Sequence, residues 1–309
     1  MVDTDLNSLK ERYTPSEDFY VRNHFDTPDQ PGAPTVDIDG EVAKPLRLTP
    51  QDLAGLRRFQ VGSVLECAGN PVGTVAKLSN GLWEGWFLAD VLALARPAQA
   101  ATHLHLFGRD GYGRSIPIER ALAGGMLATQ LNGRALSPQH GSPWRALFPG
   151  WYGMDSVKWL ARIVVARAPL ESNDNAYVEL LRDPMGAVHS RPLPRVQVKS
   201  LIVRPIEGTV LRRGTINLRG IAWSGGGRIA SVEFSADGGV TWRPAALDAG
   251  VLYEWVFWHS ELELTARGTV EFVCRAVDEK GIGQPAQRDP NRLDGYSNNW
   301  YHRVRCVMV

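Results

Sequence analysis

The sequence predicts an α+β chain in two parts, a mixed α/β region followed by an all-β region. Short alternating runs and short helix signals intermingle up to about residue 167, without a strict βαβ repeat. From about residue 195 only alternating runs remain, separated by Gly and Pro turns. The 31 Gly and 10 Trp among 309 residues suit a loop-rich architecture rather than a helical bundle.

Residues 1–34 read as an irregular arm, because Pro15, Pro28, Pro31 and Pro34 forbid a long helix. TVDIDG (35–40) alternates apolar and polar residues and ends at a turn glycine, which predicts a strand. TPQDLAGL (49–56) reads as a short helix with Thr49 as cap and Pro50 in its first turn. SVLEC (63–67) predicts a short strand, and FLADVLALA (87–95) has apolar residues at helical spacing. THLHLFG (102–108) predicts a strand, IPIERALAG (116–124) a helix ended by glycine, and SVKWLARIVVAR (156–167) a closing strand.

The Pro- and Arg-rich HSRPLPRVQ (189–197) marks the boundary, giving domains 1–195 and 196–309. Beyond it RVQVKSLIVRP, GTINLRGIAW, ASVEFSADGGVTW and TVEFVCRAVDE alternate as strands. In the third, Asp-Gly-Gly supplies the positive φ of a tight hairpin turn. Several such strands in about a hundred residues suggest an immunoglobulin-like sandwich.

A formal net charge of +1 makes no electrostatic case for nucleic acid or a membrane surface. No apolar run approaches the roughly 20 residues of a membrane helix. Three cysteines without a C-x-x-C form neither a disulfide framework nor a zinc site and point to a reducing compartment. The first 20 residues show no apolar core of an export signal, so a cytoplasmic location is expected.

Cys67 closes the run V-L-E-C-A-G-N, at a strand end beside small residues. A thiolate there suits a soft metal or a nucleophilic role, and a small buried hydrophobe is the alternative. Arg22, Asn23 and His24 in FYVRNHF, His140 and Arg145 in HGSPWR, and Lys158 in SVK offer donors for an anion; solvated surface charge is the alternative for each. RDGYGRS (109–115) matches neither a P-loop nor a dinucleotide-binding turn. His103 and His105 share a strand face as a metal pair or as two half-exposed histidines.

Taken together, FYVRNHF, ECAGN, DGYGRSIP and HGSPWRALFPGWYGMDSVKWLARI resemble the sulfite oxidase family of molybdenum enzymes. WSGGGR, SADGGVTW and SNNWYHRV resemble the dimerisation domain that follows in that family. The resemblance implies a molybdopterin-binding domain, a homodimer, and a molybdenum–pterin dithiolene cofactor with Cys67 as the one protein ligand of the metal. It implies cofactor contacts from Tyr20, Val21, Arg22, Asn23, His24, Asp110, His140, Arg145, Ser156, Val157 and Lys158. Arg22, Tyr177 and Trp83 match substrate-pocket positions.

Two departures stand out. Pro71 and Val72 follow C-A-G-N where sulfite-oxidising members often carry Arg, and Asp294 takes the place of a substrate arginine from the second domain, with Arg292 two residues earlier. A carboxylate facing a dianion is unfavourable, so either Arg292 reaches in or the substrate is less anionic than sulfite. The resemblance implies oxidation of a small oxyanion, sulfite, with electrons leaving to an external acceptor such as a cytochrome. The alternatives are a molybdenum-dependent reductase of an S-oxide, N-oxide or nitrate, and a non-catalytic binding protein with a decayed site.

Overall fold

A computed structural model describes residues 2–29, 32–73, 75–170 and 177–309. The chain divides into two compact units that interleave along the sequence. The first holds Val21–Val61 and Gly81–Ala176, the second Val2–Tyr20, Gly62–Asn80 and Tyr177–Val309. Both are built mainly of strands; the described helices are short.

In the first unit, one sheet has the strand order Leu46–Leu48, Val36–Gly40, Leu160–Ala166, His103–Gly108 and Gly113–Pro117. Leu160–Ala166 runs parallel to Val36–Gly40 and antiparallel to His103–Gly108. A second sheet centres on Met126–Leu131, which pairs with Arg145–Leu147 and with residues 83–87 of the strand Leu78–Phe87. The alternating apolar residues Val36, Ile38, Leu104, Leu106, Ile163 and Val165 point into one buried core. Helices Leu88–Ala93 and Ile118–Leu122 lie where helical spacing places them and bury Leu88, Val91, Leu92 and Ala121. TPQDLAGL forms no helix. It makes successive four-residue turns, Asp52 to Thr49, Ala54 to Gln51 and Leu56 to Leu53. The Asp52 carboxylate accepts from the Thr49 backbone N–H and hydroxyl, so the Thr49 hydroxyl is used as a donor to Asp52.

In the second unit, a four-stranded sheet runs Lys199–Arg204, Gly214–Trp223, Val256–Leu264 and Ala246–Leu247. A five-stranded sheet runs Val210–Leu211, His302–Met308, Gly268–Asp278, Ile229–Ser235 and Arg243–Pro244. Residues from both, among them Ile202, Leu218, Trp258, Phe234 and Phe272, share one core. The last strand shows the period-2 rule directly: His302, Val304, Cys306 and Met308 are buried while Arg303 and Arg305 face out. Cys274 and Cys306 are core residues, and burial pushes the Cys274 thiol up to about 12. Among the described residues the arm is irregular apart from a short turn at Leu6–Ser8, a two-residue pairing of Thr4–Asp5 with Val75–Ala76, and single bridges at Val2 and Val21. No helix among the described residues is long and apolar enough to cross a membrane.

Candidate active site

The first unit gathers most of the predicted anion-binding residues. The Lys158 ammonium donates to the Asn23 amide oxygen at 2.5 Å and to the Gln139 carbonyl at 2.8 Å. Burial, and then the positive charge of Arg145, pull Lys158 down to about 7, while Asp110 acts in the opposite direction. Asp110 sits in the turn before Gly113–Pro117 and accepts from the Tyr112 N–H at 3.1 Å; burial raises its carboxyl despite Lys158 and His24 nearby. Asn23 donates to Thr27, and the His24 ring lies 5.6 Å from that of Tyr112. Asn23, His24, Phe25, Asp26, Thr27 and Asp110 line a cleft of about 750 Å³.

Behind the cleft, Arg145 is buried and ties two segments together. It donates to the His140 carbonyl at 3.1 Å and to the Ser156 carbonyl at 2.9 Å, with Trp83 under its guanidinium at 5.0 Å. Trp83 is fully buried, so in this unit it supports Arg145 rather than lining the cleft. His140 ends a single turn, Pro138–His140, and Gly141 follows at φ +96; a Cβ there would come 2.9 Å from the Lys158 Cβ. Glycine is therefore required where this loop passes Lys158. Ser156 and Val157 are buried, and the Ser156 hydroxyl accepts from the Phe148 N–H. The neighbouring Asp155, fully buried, accepts from Arg114 at 2.9 Å and is paired with Arg120.

The second unit holds Cys67, Tyr20, Tyr177 and Arg292. Cys67 is half-buried, unlike the two core cysteines. It follows the strand Arg58–Glu66, and its N–H donates to the Lys77 carbonyl at 2.9 Å while its carbonyl accepts from Asn70. The Ala68 carbonyl accepts from the Ser297 N–H, and the Asn70 side chain accepts from Lys77 and donates to Glu66. Glu66 is buried with Lys199 at 2.9 Å and the Trp223 indole N–H at 2.9 Å. Tyr20 is fixed by its N–H to the Ser79 hydroxyl. The Tyr177 ring lies 5.3 Å from that of Tyr296, whose ring edge would be 4.0 Å from a Cβ at Gly69. Arg292 is held by Glu179 at 2.9 Å and by both oxygens of Asp294, at 2.7 and 3.2 Å.

Residues 24–174 match the oxidoreductase molybdopterin binding domain, and residues 191–308 match the Mo-co oxidoreductase dimerisation domain. The chain is 33% identical to the sulfite oxidase of Gallus gallus, over 96% of its own length and 73% of that protein's. The chain belongs to the sulfite oxidase family. It is 31% identical to the mitochondrial sulfite oxidase of Mus musculus and spans 63% of that protein's length. The crystal structure of the sulfane dehydrogenase SoxCD from Paracoccus pantotrophus matches with a TM-score of 0.87 at 29% identity, over 97% of this chain and 82% of that one.

The chain carries the molybdopterin-binding and dimerisation domains of that family. The residues present fit a molybdenum–pterin group on two observations. A desolvated ammonium held down to about 7 beside a cleft gains from an arriving phosphate, which would restore its charge. A half-buried thiol on a turn tied from both sides suits a soft metal better than the two core thiols do. Among the described residues, no three His, Cys, Asp or Glu side chains converge to hold an ion by themselves. His103 and His105 bond to Thr102 and to the Ala168 carbonyl.

Sequence reasoning missed two supports. Asp155 lies inside the quoted run GWYGMDSVKW, and Glu66 immediately precedes Cys67. A carboxylate embedded among apolar and aromatic residues is the signal that could have found both, because it folds inward only with a cation beside it.

Proposed function

We propose that this chain oxidises sulfite to sulfate. One oxygen atom is taken up from water, two protons are released, and two electrons pass to an external acceptor such as a cytochrome. The presentation of Cys67 carries the reading: a half-buried thiol at a strand end, on a turn whose backbone is bonded on both sides. A molybdenum–pterin group supplies two-electron oxygen-atom transfer when bound. Cys67 is its protein ligand in this reading. Lys158, Asn23, His24 and Asp110 hold the pterin and its phosphate, with Tyr20, Val21 and Arg22 from the preceding segment. His140, Arg145, Ser156 and Val157 shape the backbone around Lys158, and Trp83 supports Arg145. Arg22 orients the oxyanion, and Tyr177 moves a proton near it. The division into domains 1–195 and 196–309, an immunoglobulin-like second domain, and a homodimer formed through it belong to the same proposal, supported by the two-sheet core and the dimerisation-domain match.

A second reading, reduction of an S-oxide, N-oxide or nitrate, is favoured by one observation. The Arg292 guanidinium is already engaged by Glu179 and Asp294, carboxylates that also meet Arg191 and Arg288, so it is not presented to a dianion. Dye reduction by molybdenum-loaded protein separates the two. Sulfite-dependent reduction of a one-electron dye, two equivalents per sulfite and lost in Cys67→Ser, supports the first. Loaded protein that ignores sulfite, but is reoxidised by an S-oxide or nitrate after dithionite, supports the second.

A further inference from the structure

We propose that the buried Glu66–Lys199 pair is the positioning device for Cys67, setting where its sulfur points. This rests on the reading of Cys67 as the metal's thiolate. Glu66 is 3% exposed and Lys199 1% exposed, so neither charge is tempered by water. The pair grips the turn at both ends. At the near end, Glu66 is bonded to Cys67 through the chain. At the far end, Asn70 donates to the Glu66 Oε1 at 3.0 Å, and Lys199 donates to the Pro71 carbonyl at 3.3 Å. The other Glu66 oxygen accepts from Trp223 at 2.9 Å, so the carboxylate is fixed in plane and rotation. Lys199 stands at the start of Lys199–Arg204 and Trp223 at the end of Gly214–Trp223, two paired strands of one sheet. The turn thus takes its position from a rigid sheet rather than from its own four residues.

Stability alone does not account for such a pair, because apolar residues of similar volume are often as stabilising as a buried ion pair. What an apolar pair cannot supply is direction: the carboxylate fixes Asn70, and Asn70 in turn accepts the Lys77 N–H at 2.8 Å. Lys77 closes the circle by accepting the Cys67 N–H through its carbonyl.

The test compares the full-length parent with Glu66→Leu/Lys199→Met, which removes both charges together, and with Lys199→Arg. Iodoacetamide labelling of Cys67 in cofactor-free protein, read by peptide mass spectrometry with core Cys274 as reference, reports the turn without any metal. The Mo(V) paramagnetic signal of loaded protein reports the ligand geometry. The expected result is a double variant that melts near the parent temperature, labels at Cys67 roughly tenfold faster because the turn opens locally, and gives a broadened or shifted Mo(V) signal. Lys199→Arg should return both readouts towards the parent. A folded double variant with parental labelling and a parental Mo(V) signal overturns the proposal. Should the double variant not fold, Glu66→Gln/Lys199→Gln, which leaves no buried charge unpaired and keeps polar groups of similar size, takes its place; parental labelling there overturns the proposal equally. Failure of the underlying reading looks different: Cys67→Ser retains molybdenum with an unchanged signal, whatever the labelling shows.

Discussion

The cations around the predicted site residues are held differently in the two units, although the first unit also pairs Arg114 and Arg120 with buried Asp155. In the first, Lys158 donates to an amide oxygen and a carbonyl, and Arg145 to two carbonyls. In the second, Lys199 is matched by Glu66, and Arg292 by Glu179 and Asp294. A carbonyl satisfies hydrogen bonds without cancelling charge, whereas a carboxylate cancels it. The first unit therefore keeps positive potential to offer an anion. The second spends its ion pairs on fixing backbone, around Cys67 and around residues 292–296. Lys158 is consistent with this: burial and Arg145 lower it more than Asp110 raises it.

The sharpest way to break this comparison is at the thiol. Cys67→Ser should lower molybdenum-dependent sulfite turnover by about ten-thousandfold or more, over about 5 kcal/mol of barrier, while thermal unfolding stays close to the parent. Residual turnover above that, measured as dye reduction per bound molybdenum, would remove Cys67 from the chemistry. Next comes the balanced pair. Lys199→Met alone should destabilise the fold by about 3–5 kcal/mol, because it strands a buried carboxylate. Glu66→Leu/Lys199→Met should recover most of that loss in denaturant titrations. Equal losses in the single and double variants would mean that packing, not charge pairing, sets the cost.

The sequence showed the strands well because both cores follow alternation: Val36 with Ile38, Leu104 with Leu106, and the four buried positions of His302–Met308 are visible as a period of two. Helices Leu88–Ala93 and Ile118–Leu122 were legible from spacing for the same reason. TPQDLAGL misleads because its backbone closes separate i→i−3 bonds, Asp52 to Thr49, Ala54 to Gln51 and Leu56 to Leu53, in place of the i→i−4 ladder of an α-helix. The site was legible as motifs and illegible as partnerships. Lys158 with Asn23 is 135 residues apart, and Lys199 with Glu66 is 133. No local pattern encodes such a pairing; only the tertiary fold that brings the distant segments together does. Arg292 shows the converse. Its position invites a substrate role, while its guanidinium is already matched by two carboxylates.

A smaller effect tests the unmatched cation. Lys158 changes from its ordinary 10.5 to about 7 on folding. Between those values the unfolded chain carries a proton the folded one lacks, so cofactor-free protein should gain stability as pH rises from about 7 towards 10.5. This group's share is at most about 1.4 kcal/mol per pH unit. Lys158→Met should flatten the slope, measured as the difference between the two proteins in urea melts at matched pH. Below about pH 7, where Lys158 is charged, cofactor phosphate should bind more tightly to the parent than to the variant. Identical slopes would mean that Lys158 keeps its proton through a closer anion than Asp110.

The smallest effect is expected at Arg292. Arg292→Gln removes one of two cations from each carboxylate, Glu179 keeping Arg191 and Asp294 keeping Arg288, so the fold should lose about 1–3 kcal/mol. The sulfite KM should stay within about twofold of the parent, because losing less than about 0.4 kcal/mol of binding is what a neutralised cation implies. Arg292→Lys sharpens the point: it keeps one charge but not the fork that meets both Asp294 oxygens, so it should recover only part of the stability and leave KM where it was. A KM that rises tenfold or more in Arg292→Gln, with the fold intact, would give Arg292 the substrate role after all. It would also turn the second unit from a scaffold of matched charges into a contributor of free charge, and the contrast with Lys158 would fall.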